Sequence, residues 1–235
     1  MFLEEYEANF KGRYRVKVAL LGGTAGQGFG LALRFCKAGM DVIIGSRSTE
    51  RALETAKNIR AALGNNVKVE GMLNEEAVKI ADVVFLTVPL VGLIPILKSI
   101  ANDVNGKVVV SAVVPLEAEI GGALRPIRLW SGSVAELVAE RLKNSKIVAA
   151  FHNISADALN DLEKPVECDV VVCSDHEDAK QLVMQLAQKI EGVRAIDGGP
   201  LRNSRYVEEL TALLIFLDKR YSVKFSGLRF TGIKI

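Results

Sequence analysis

The stretch VKVALLGGTAGQGFGLALRFCKAGMDVIIGSR, Val16 to Arg47, decides the fold. An apolar β-branched run leads into a glycine-rich turn, and a helical pattern follows with Leu31, Leu33, Phe35 and Ala38 on its apolar positions. A second strand, Asp41 to Gly45, closes the unit. The glycines Gly22, Gly23, Gly26, Gly28 and Gly30 let the backbone turn sharply after Leu21 and present bare amides at a helix N-terminus, the arrangement that holds a pyrophosphate. On the dinucleotide fingerprint the turn Gly23-Thr24-Ala25-Gly26-Gln27-Gly28 has Ala25 in place of the middle glycine, with Gly26 immediately after it. Gly26 then takes over the close approach, or the phosphate sits slightly farther out.

The second strand ends on Gly45-Ser46-Arg47 instead of an acid. A carboxylate there would hold the ribose 2′-hydroxyl of NAD, whereas a hydroxyl and a guanidinium suit the extra phosphate of NADP. Arg51 lies one helical turn beyond Arg47 and is expected to return to the same phosphate, with the Thr24 hydroxyl as a further donor. The alternative for both arginines is a solvated helix start, which the dipole disfavours for cations.

The chain has 235 residues, 49% of them hydrophobic, and a formal net charge of +2 with scattered cations. This amounts to ample core, no nucleic-acid stripe and no polybasic membrane patch. The three cysteines, Cys36, Cys168 and Cys173, lack framework spacing, which fits a reducing cytoplasm, and the two histidines stand far apart, so no metal site is expected. Residues 1–15 are neither a signal peptide nor a span and are expected to form an extension. The longest apolar run, Val83 to Leu97, is broken by Pro89, Gly92 and Pro95, so it predicts a buried strand and a helix start.

Further short β-branched runs, Val67 to Gly71, Val83 to Thr87, Val108 to Ser111 and Ile147 to Ala150, alternate with helical stretches. The pattern predicts an α/β fold, a doubly wound parallel (Rossmann) sheet over residues 16–152, with ligand at the carboxyl ends of its strands. Thr87-Val88-Pro89 and Ala112-Val113-Val114-Pro115 are two such ends; each proline either shapes a cofactor wall or simply terminates a strand. From 153 to 235 a smaller α/β unit is expected: a loop Asn153 to Val166, a strand Asp169 to Cys173, a helix Glu177 to Ile190, a strand Val193 to Ile196 and an amphipathic helix Asn203 to Tyr221. The closing VKFSGLRFTGIKI predicts a hairpin or an arm, and the cleft between the units is the expected site. Along the last helix Val207, Leu210, Leu213, Leu214 and Leu217 form one predicted buried stripe, facing its own unit or a second subunit.

Catalytic apparatus is sparse. None of Tyr6, Tyr14, Tyr206 and Tyr221 has a lysine four residues later, and no lysine lies between Gly198 and Ser204. Tyrosine-lysine and interdomain-lysine dehydrogenase mechanisms are therefore unsupported, whereas hydride transfer between two flat rings needs positioning and no strong acid. His152 is the titratable group at a strand end facing the cleft. It either polarises or hydrogen-bonds the incoming ring, or is a packed histidine at the sheet edge.

The residues Ala19-Leu20-Leu21-Gly22-Gly23-Thr24, Gly45-Ser46-Arg47, Leu86-Thr87-Val88-Pro89, Val109-Val110-Ser111 with Val114-Pro115, Phe151-His152-Asn153-Ile154 and Gly199-Pro200-Leu201-Arg202-Asn203-Ser204-Arg205 together resemble the NADPH-dependent reductases of the deazaflavin coenzyme F420. The likeness covers residues 16 to about 221, with Ala25 where the family has a third glycine and Ser155 where it has a proline. The resemblance implies that Thr24, Ser46, Arg47 and Arg51 hold the 2′-phosphate and that backbone near Ile154 and Ala156 holds the nicotinamide carboxamide. It implies a deazaflavin stacked over the nicotinamide near Val88, Pro89, His152 and the Arg202 to Arg205 segment, with Thr87, Val88 and Pro89 among the cofactor contacts, Pro115, Arg202, Asn203, Ser204 and Arg205 as substrate contacts, and a homodimer. Arg202 and Arg205, one turn apart, would meet the anionic tail or form a salt bridge between the units. The rival functions are an NADPH-dependent reductase of flavin, quinone or ferric complexes, and an NADPH-sensing protein without turnover.

Overall fold

The computed structural model describes residues 16–234. The expected N-terminal extension, residues 1–15, lies outside the described residues. Six parallel strands, β1 (Lys17–Leu21), β2 (Asp41–Ser46), β3 (Val69–Leu73), β4 (Val83–Leu86), β5 (Val108–Ser111) and β6 (Lys146–Ala149), form one sheet in the order β3-β2-β1-β4-β5-β6. The chain winds outward from β1 through β2 to β3, then crosses to β4 and winds the other way. The reversal between β1 and β4 is where ligands bind in such sheets. β-Branched and aliphatic residues fill the strands because both faces are covered: Val18 and Leu20 enter one core cluster, Ala19 and Leu21 the other.

On the first face pack α1 (Gly26–Lys37), α2 (Thr49–Leu63) and α7 (Glu177–Gln188), and on the second α3 (Asn74–Ile80), α4 (Leu90–Ile100) and α5 (Val134–Arg141). The Phe35, Phe85 and Phe151 rings meet in the first cluster, with centroids 5.5 to 6.3 Å apart in edge or tilted contacts.

Beyond β6, strands β7 (Cys168–Val172) and β8 (Val193–Asp197) pair in parallel. Cys173 exchanges two backbone hydrogen bonds with Ala149, 2.8 and 2.9 Å, so this pair is stitched to the end of the main sheet. Val170 and Val172 lie in the first core cluster and Val171 in the second. The final helix, α8 (Ser204–Tyr221), follows a 3-10 turn at Leu201–Asn203.

Two sequence expectations change, and a third is decided between its alternatives. The stretch from Asn153 to Val166 is not all loop: Ser155 caps a short helix, α6 (Ala156–Asn160). The buried Arg34 of α1 donates to the carbonyls of Ala158, Leu159 and Lys164, each at 2.9 Å, and also to that of Asp161. So few residues cannot hold a helix through local propensity; a distant guanidinium satisfying its terminal carbonyls does. Among the described residues the C-terminal segment makes no hairpin. It lies along β7 as an arm, with the Asp169 amide donating to the Leu228 carbonyl at 2.7 Å and the Asp169 carboxylate taking Arg194, Arg229 and the Phe230 amide. Burial pushes that carboxyl up, yet those donors outweigh it and hold it down to about 2. The apolar stripe of α8 splits: Val207 and Leu214 are buried, Leu210 and Leu217 half-buried, and Leu213 is 51% exposed.

Candidate functional site

Register builds the site. Leu21 pairs with Gly45 and with Leu86, Leu86 with Ser111, and Ser111 with Ala149, so five strands end in one row. The residues just past those ends line one cavity of about 1020 Å³: Gly22 and Thr24 to Gln27 after β1, Ser46, Arg47 and Arg51 around β2, Thr87 to Pro89 after β4, Ala112 to Val114 after β5, and His152 to Ala156 after β6. α8 and the C-terminal arm add a further wall through Thr211, Leu214, Ile215, Asp218 and Ser226. This is large for one small ligand and accommodates a dinucleotide with a second ring.

The glycine turn has specific steric reasons. Gly22 sits at φ +86°, and a Cβ there would fall 2.8 Å from Val88 Cγ1 and 3.0 Å from the Thr87 carbonyl. At Gly28 a Cβ would lie 2.4 Å from Thr87 Oγ1, so only glycine lets α1 approach β4 this closely. Gly23 and Gly28 are buried behind the turn and do not line the cavity. Ala25 is the N-cap residue of α1 in extended backbone, φ −159°, which any residue adopts, so the turn tolerates its methyl. No acid stands in the first turn of α1 and no side chain caps it, leaving its amides and dipole directed at the cavity.

At the β2 corner Ser46 is buried and its Oγ accepts from the Ser48 amide at 3.2 Å, while Arg47 and Arg51 are exposed. Neither arginine has a carboxylate partner among the described residues. Two unpaired guanidiniums beside a helix N-terminus repel each other and oppose the dipole, so the corner is complementary to a multiply charged anion.

Phe151 is the hinge of the β6 end. Its φ of +68° is rare for a bulky side chain. The aromatic cluster fixes its ring, and its carbonyl accepts from Gln27 Nε2 of the glycine turn. This reversal delivers His152 and Asn153 to the cavity. His152 is 3% exposed, neither ring nitrogen has a hydrogen-bond partner among the described residues, and burial pushes its pKa down to about 3. The imidazole is therefore neutral near pH 7. Its Nε2 lies 3.9 Å from Glu208 Oε1. The Glu208 carboxyl accepts from the amides of Val134 (2.7 Å) and Ala135 (3.1 Å), closing the N-terminus of α5, and burial pushes it up to about 7.

Buried polar atoms that no described residue satisfies keep hydrogen-bonding capacity for a ligand or water. Besides the His152 nitrogens, Asn74 Oδ1, Asn153 Oδ1 and Asp218 Oδ1 are such atoms, and all four residues line the cavity. Sequence reasoning missed Asn74 and Asp218, since no motif contains them. The donors and acceptors present therefore fit a dinucleotide: amides and cations at the phosphate end, open acceptors and an apolar wall at the other.

Several expected contacts lie elsewhere. Pro115 is buried and does not line the cavity, although its neighbours Val114 and Leu116 do. Arg202, Asn203, Ser204 and Arg205 are also absent from the lining. Asn203 Nδ2 donates to the Gly198 carbonyl at 2.7 Å, Ser204 Oγ to Ser133 Oγ at 2.8 Å, and Arg205 Nη2 meets both Glu136 oxygens at 2.7 and 2.9 Å. In this structure the motif clasps the head of α8 onto α5, and Arg202 is exposed. His176 is the N-cap residue of α7 and takes no part in the cavity. Among the described residues no cluster of His, Cys, Asp and Glu could hold a metal ion, and no helix is long and apolar enough to cross a membrane.

The sheet order, the glycine turn and the basic corner define the class, a Rossmann-fold oxidoreductase of the NADP type. Residues 17–115 match the family described as "NADP oxidoreductase coenzyme F420-dependent". The chain is 47% identical over 222 residues to the F420-dependent NADP reductase of Methanothermobacter thermautotrophicus, covering 93% of this chain and 96% of that one. It is 45% identical over 226 residues to the protein of that name from Methanocaldococcus jannaschii, covering 94% and 100%. The crystal structure of a putative F420-dependent NADP reductase from Arthrobacter sp. FB24 superposes with a TM-score of 0.75 at 20% identity, covering 92% of this chain and 99% of that one, and supports the fold. The chain belongs to the F420-dependent NADP reductases.

Proposed function

We propose that NADPH lies along the row of strand ends, with its 2′-phosphate at Thr24, Ser46, Arg47 and Arg51, its pyrophosphate on the turn Gly22 to Gly28, and its carboxamide at Ile154 and Ala156. As a member of this family the chain is an oxidoreductase that transfers hydride between NADPH and the deazaflavin coenzyme F420. One observation carries the layout: a single cavity joins the unpaired Arg47 and Arg51 to the apolar end at Val88, Pro89 and Val113. Residues 16–152, with Ile154 and Ala156 just beyond them, bind the dinucleotide, and α8 with the C-terminal arm supplies the opposing wall.

The chemistry asks little beyond placement. Bound NADPH supplies the hydride, and a second flat ring between Val88, Pro89 and the α8 wall receives it. The apolar lining excludes water and keeps the rings stacked. His152, neutral and buried, positions rather than protonates. Arg202, exposed at the head of α8, meets the anionic tail of F420 outside the cavity. A structure with bound NADP tests the layout: the 2′-phosphate is expected within hydrogen-bond distance of both guanidiniums, and a phosphate pointing to solvent would overturn the assignment.

The enzyme works as a cytoplasmic homodimer. On α8 the residues Tyr206, Leu210, Leu213, Leu217 and Tyr221 recur at helical spacing on the face away from the cavity, with Tyr206 70% and Tyr221 72% exposed. Such an apolar stripe supports self-association. Sedimentation is expected to give a dimer that Leu213→Asp dissociates; a wild-type monomer would contradict it.

A further inference from the structure

Asp218 stands in the last turn of α8, at the negative pole of an 18-residue helix, where a carboxylate is disfavoured. Lys219 and Arg220 beside it are exposed, and no ion pair joins Asp218 to a cation among the described residues. Its Oδ1 is buried without a hydrogen-bond partner among the described residues, and the residue lines the cavity. Thr211, Leu214, Ile215 and Asp218 share one helix face through their three- and four-residue spacings. The two hydroxyls on this wall have already given their hydrogens away: Thr211 Oγ1 donates to the His152 carbonyl at 2.9 Å, and Ser226 Oγ to the Leu214 carbonyl at 3.1 Å. The described residues thus offer this oxygen no donor, which leaves it open to a donor carried by a ligand.

We propose that Asp218 is a specificity-determining residue for the deazaflavin, its carboxylate accepting the imide N–H of the ring's pyrimidinedione edge. The inference rests on the cavity layout given above, with the dinucleotide along the strand ends and the acceptor ring against α8, the wall that follows no strand of the main sheet. A carboxylate at the imide edge fixes which way the ring lies over the nicotinamide, because the remaining edges carry no second N–H of that kind.

Equilibrium titration, with no turnover, tests this. F420 and NADPH are titrated separately into wild type, Asp218→Asn and Asp218→Ala, and a deazaflavin methylated at the imide nitrogen is compared with its unmethylated parent. A hydrogen bond to a charged group is worth roughly ten- to a hundredfold in affinity. Asp218→Ala is expected to weaken F420 binding by roughly tenfold or more and to leave NADPH binding unchanged, which also verifies the fold; Asp218→Asn, which keeps an acceptor, falls between. Methylation is expected to weaken binding to wild type and to have no effect in Asp218→Ala. Unchanged F420 affinity in Asp218→Ala, or a methylation penalty that persists there, would overturn the proposal alone. Loss of NADPH affinity with F420 unaffected would assign Asp218 to the carboxamide and overturn the layout as well.

Discussion

Replacing Arg47 by glutamate isolates the phosphate corner from everything else in the cleft. Arg47 and Arg51 are exposed, so each contact with a 2′-phosphate belongs at the low end of charge-assisted hydrogen bonds, about 1.5 kcal/mol. The new carboxylate adds repulsion: a dianion about 6 Å away in a water-like dielectric contributes about 1.4 kcal/mol. Together the loss is about 3 kcal/mol, or roughly a hundredfold in kcat/KM for NADPH. NADH lacks the phosphate and is expected to change little. The assay is steady-state kcat/KM for both nucleotides at saturating F420, for wild type and Arg47→Glu, repeated at two salt concentrations because exposed charges are screened. A parallel fall for both nucleotides, or a preference shifted by less than about threefold, would refute the electrostatic reading of this corner.

Gly28→Ala drives a methyl to within 2.4 Å of Thr87 Oγ1, so urea titration is expected to show a loss of about 1–3 kcal/mol together with weaker NADPH binding; full stability would mean that α1 has room to move. Ala25→Gly is expected to preserve NADPH affinity, since the backbone there is extended, and a large loss would mean that the register of the turn is wrong. Glu208 is lifted by burial to about 7 in the folded chain, well above its unfolded value. Its stabilising contribution is therefore complete below about pH 4.5 and lost as pH rises through 7. The stability of Glu208→Gln relative to wild type should thus rise by on the order of 3 kcal/mol across that window in denaturant titrations, and a difference independent of pH would contradict the assignment. His152→Ala should slow F420 reduction without abolishing it, because a neutral imidazole with a pKa near 3 transfers no proton at pH 7; complete loss of turnover would assign it a direct chemical role.

The parts of this site legible in the sequence are those fixed by backbone sterics. Gly22 and Gly28 are required by contacts with Val88 and Thr87, and β-branched runs announce strands whose register then aligns their ends, so the turn, Ser46, Arg47, Thr87 and Val88 could be brought together on paper. The short helix α6 was not legible, because a distant partner secures it, Arg34 at its carbonyls, and neither was the closing of the α5 N-terminus by Glu208. The Arg202 to Arg205 segment was legible as a motif but not as a clasp, because the role of Arg205 depends on Glu136, 69 positions away. Asn74 and Asp218 left no trace at all. Their meaning lies in an oxygen that burial leaves without a partner, which is a property of the folded cavity and of no local pattern.

The central claim is that this cleft passes hydride between NADPH and a deazaflavin. Purified protein is mixed with NADPH and, in parallel, with F420, with a free flavin and with a ferric complex, and the absorbance of each acceptor is followed against that of NADPH. The account predicts that F420 bleaches with one NADPH oxidised per deazaflavin reduced, far faster than the other acceptors. Oxidation of NADPH by flavin or ferric iron alone, or tight NADPH binding with no oxidation by any acceptor, would contradict it.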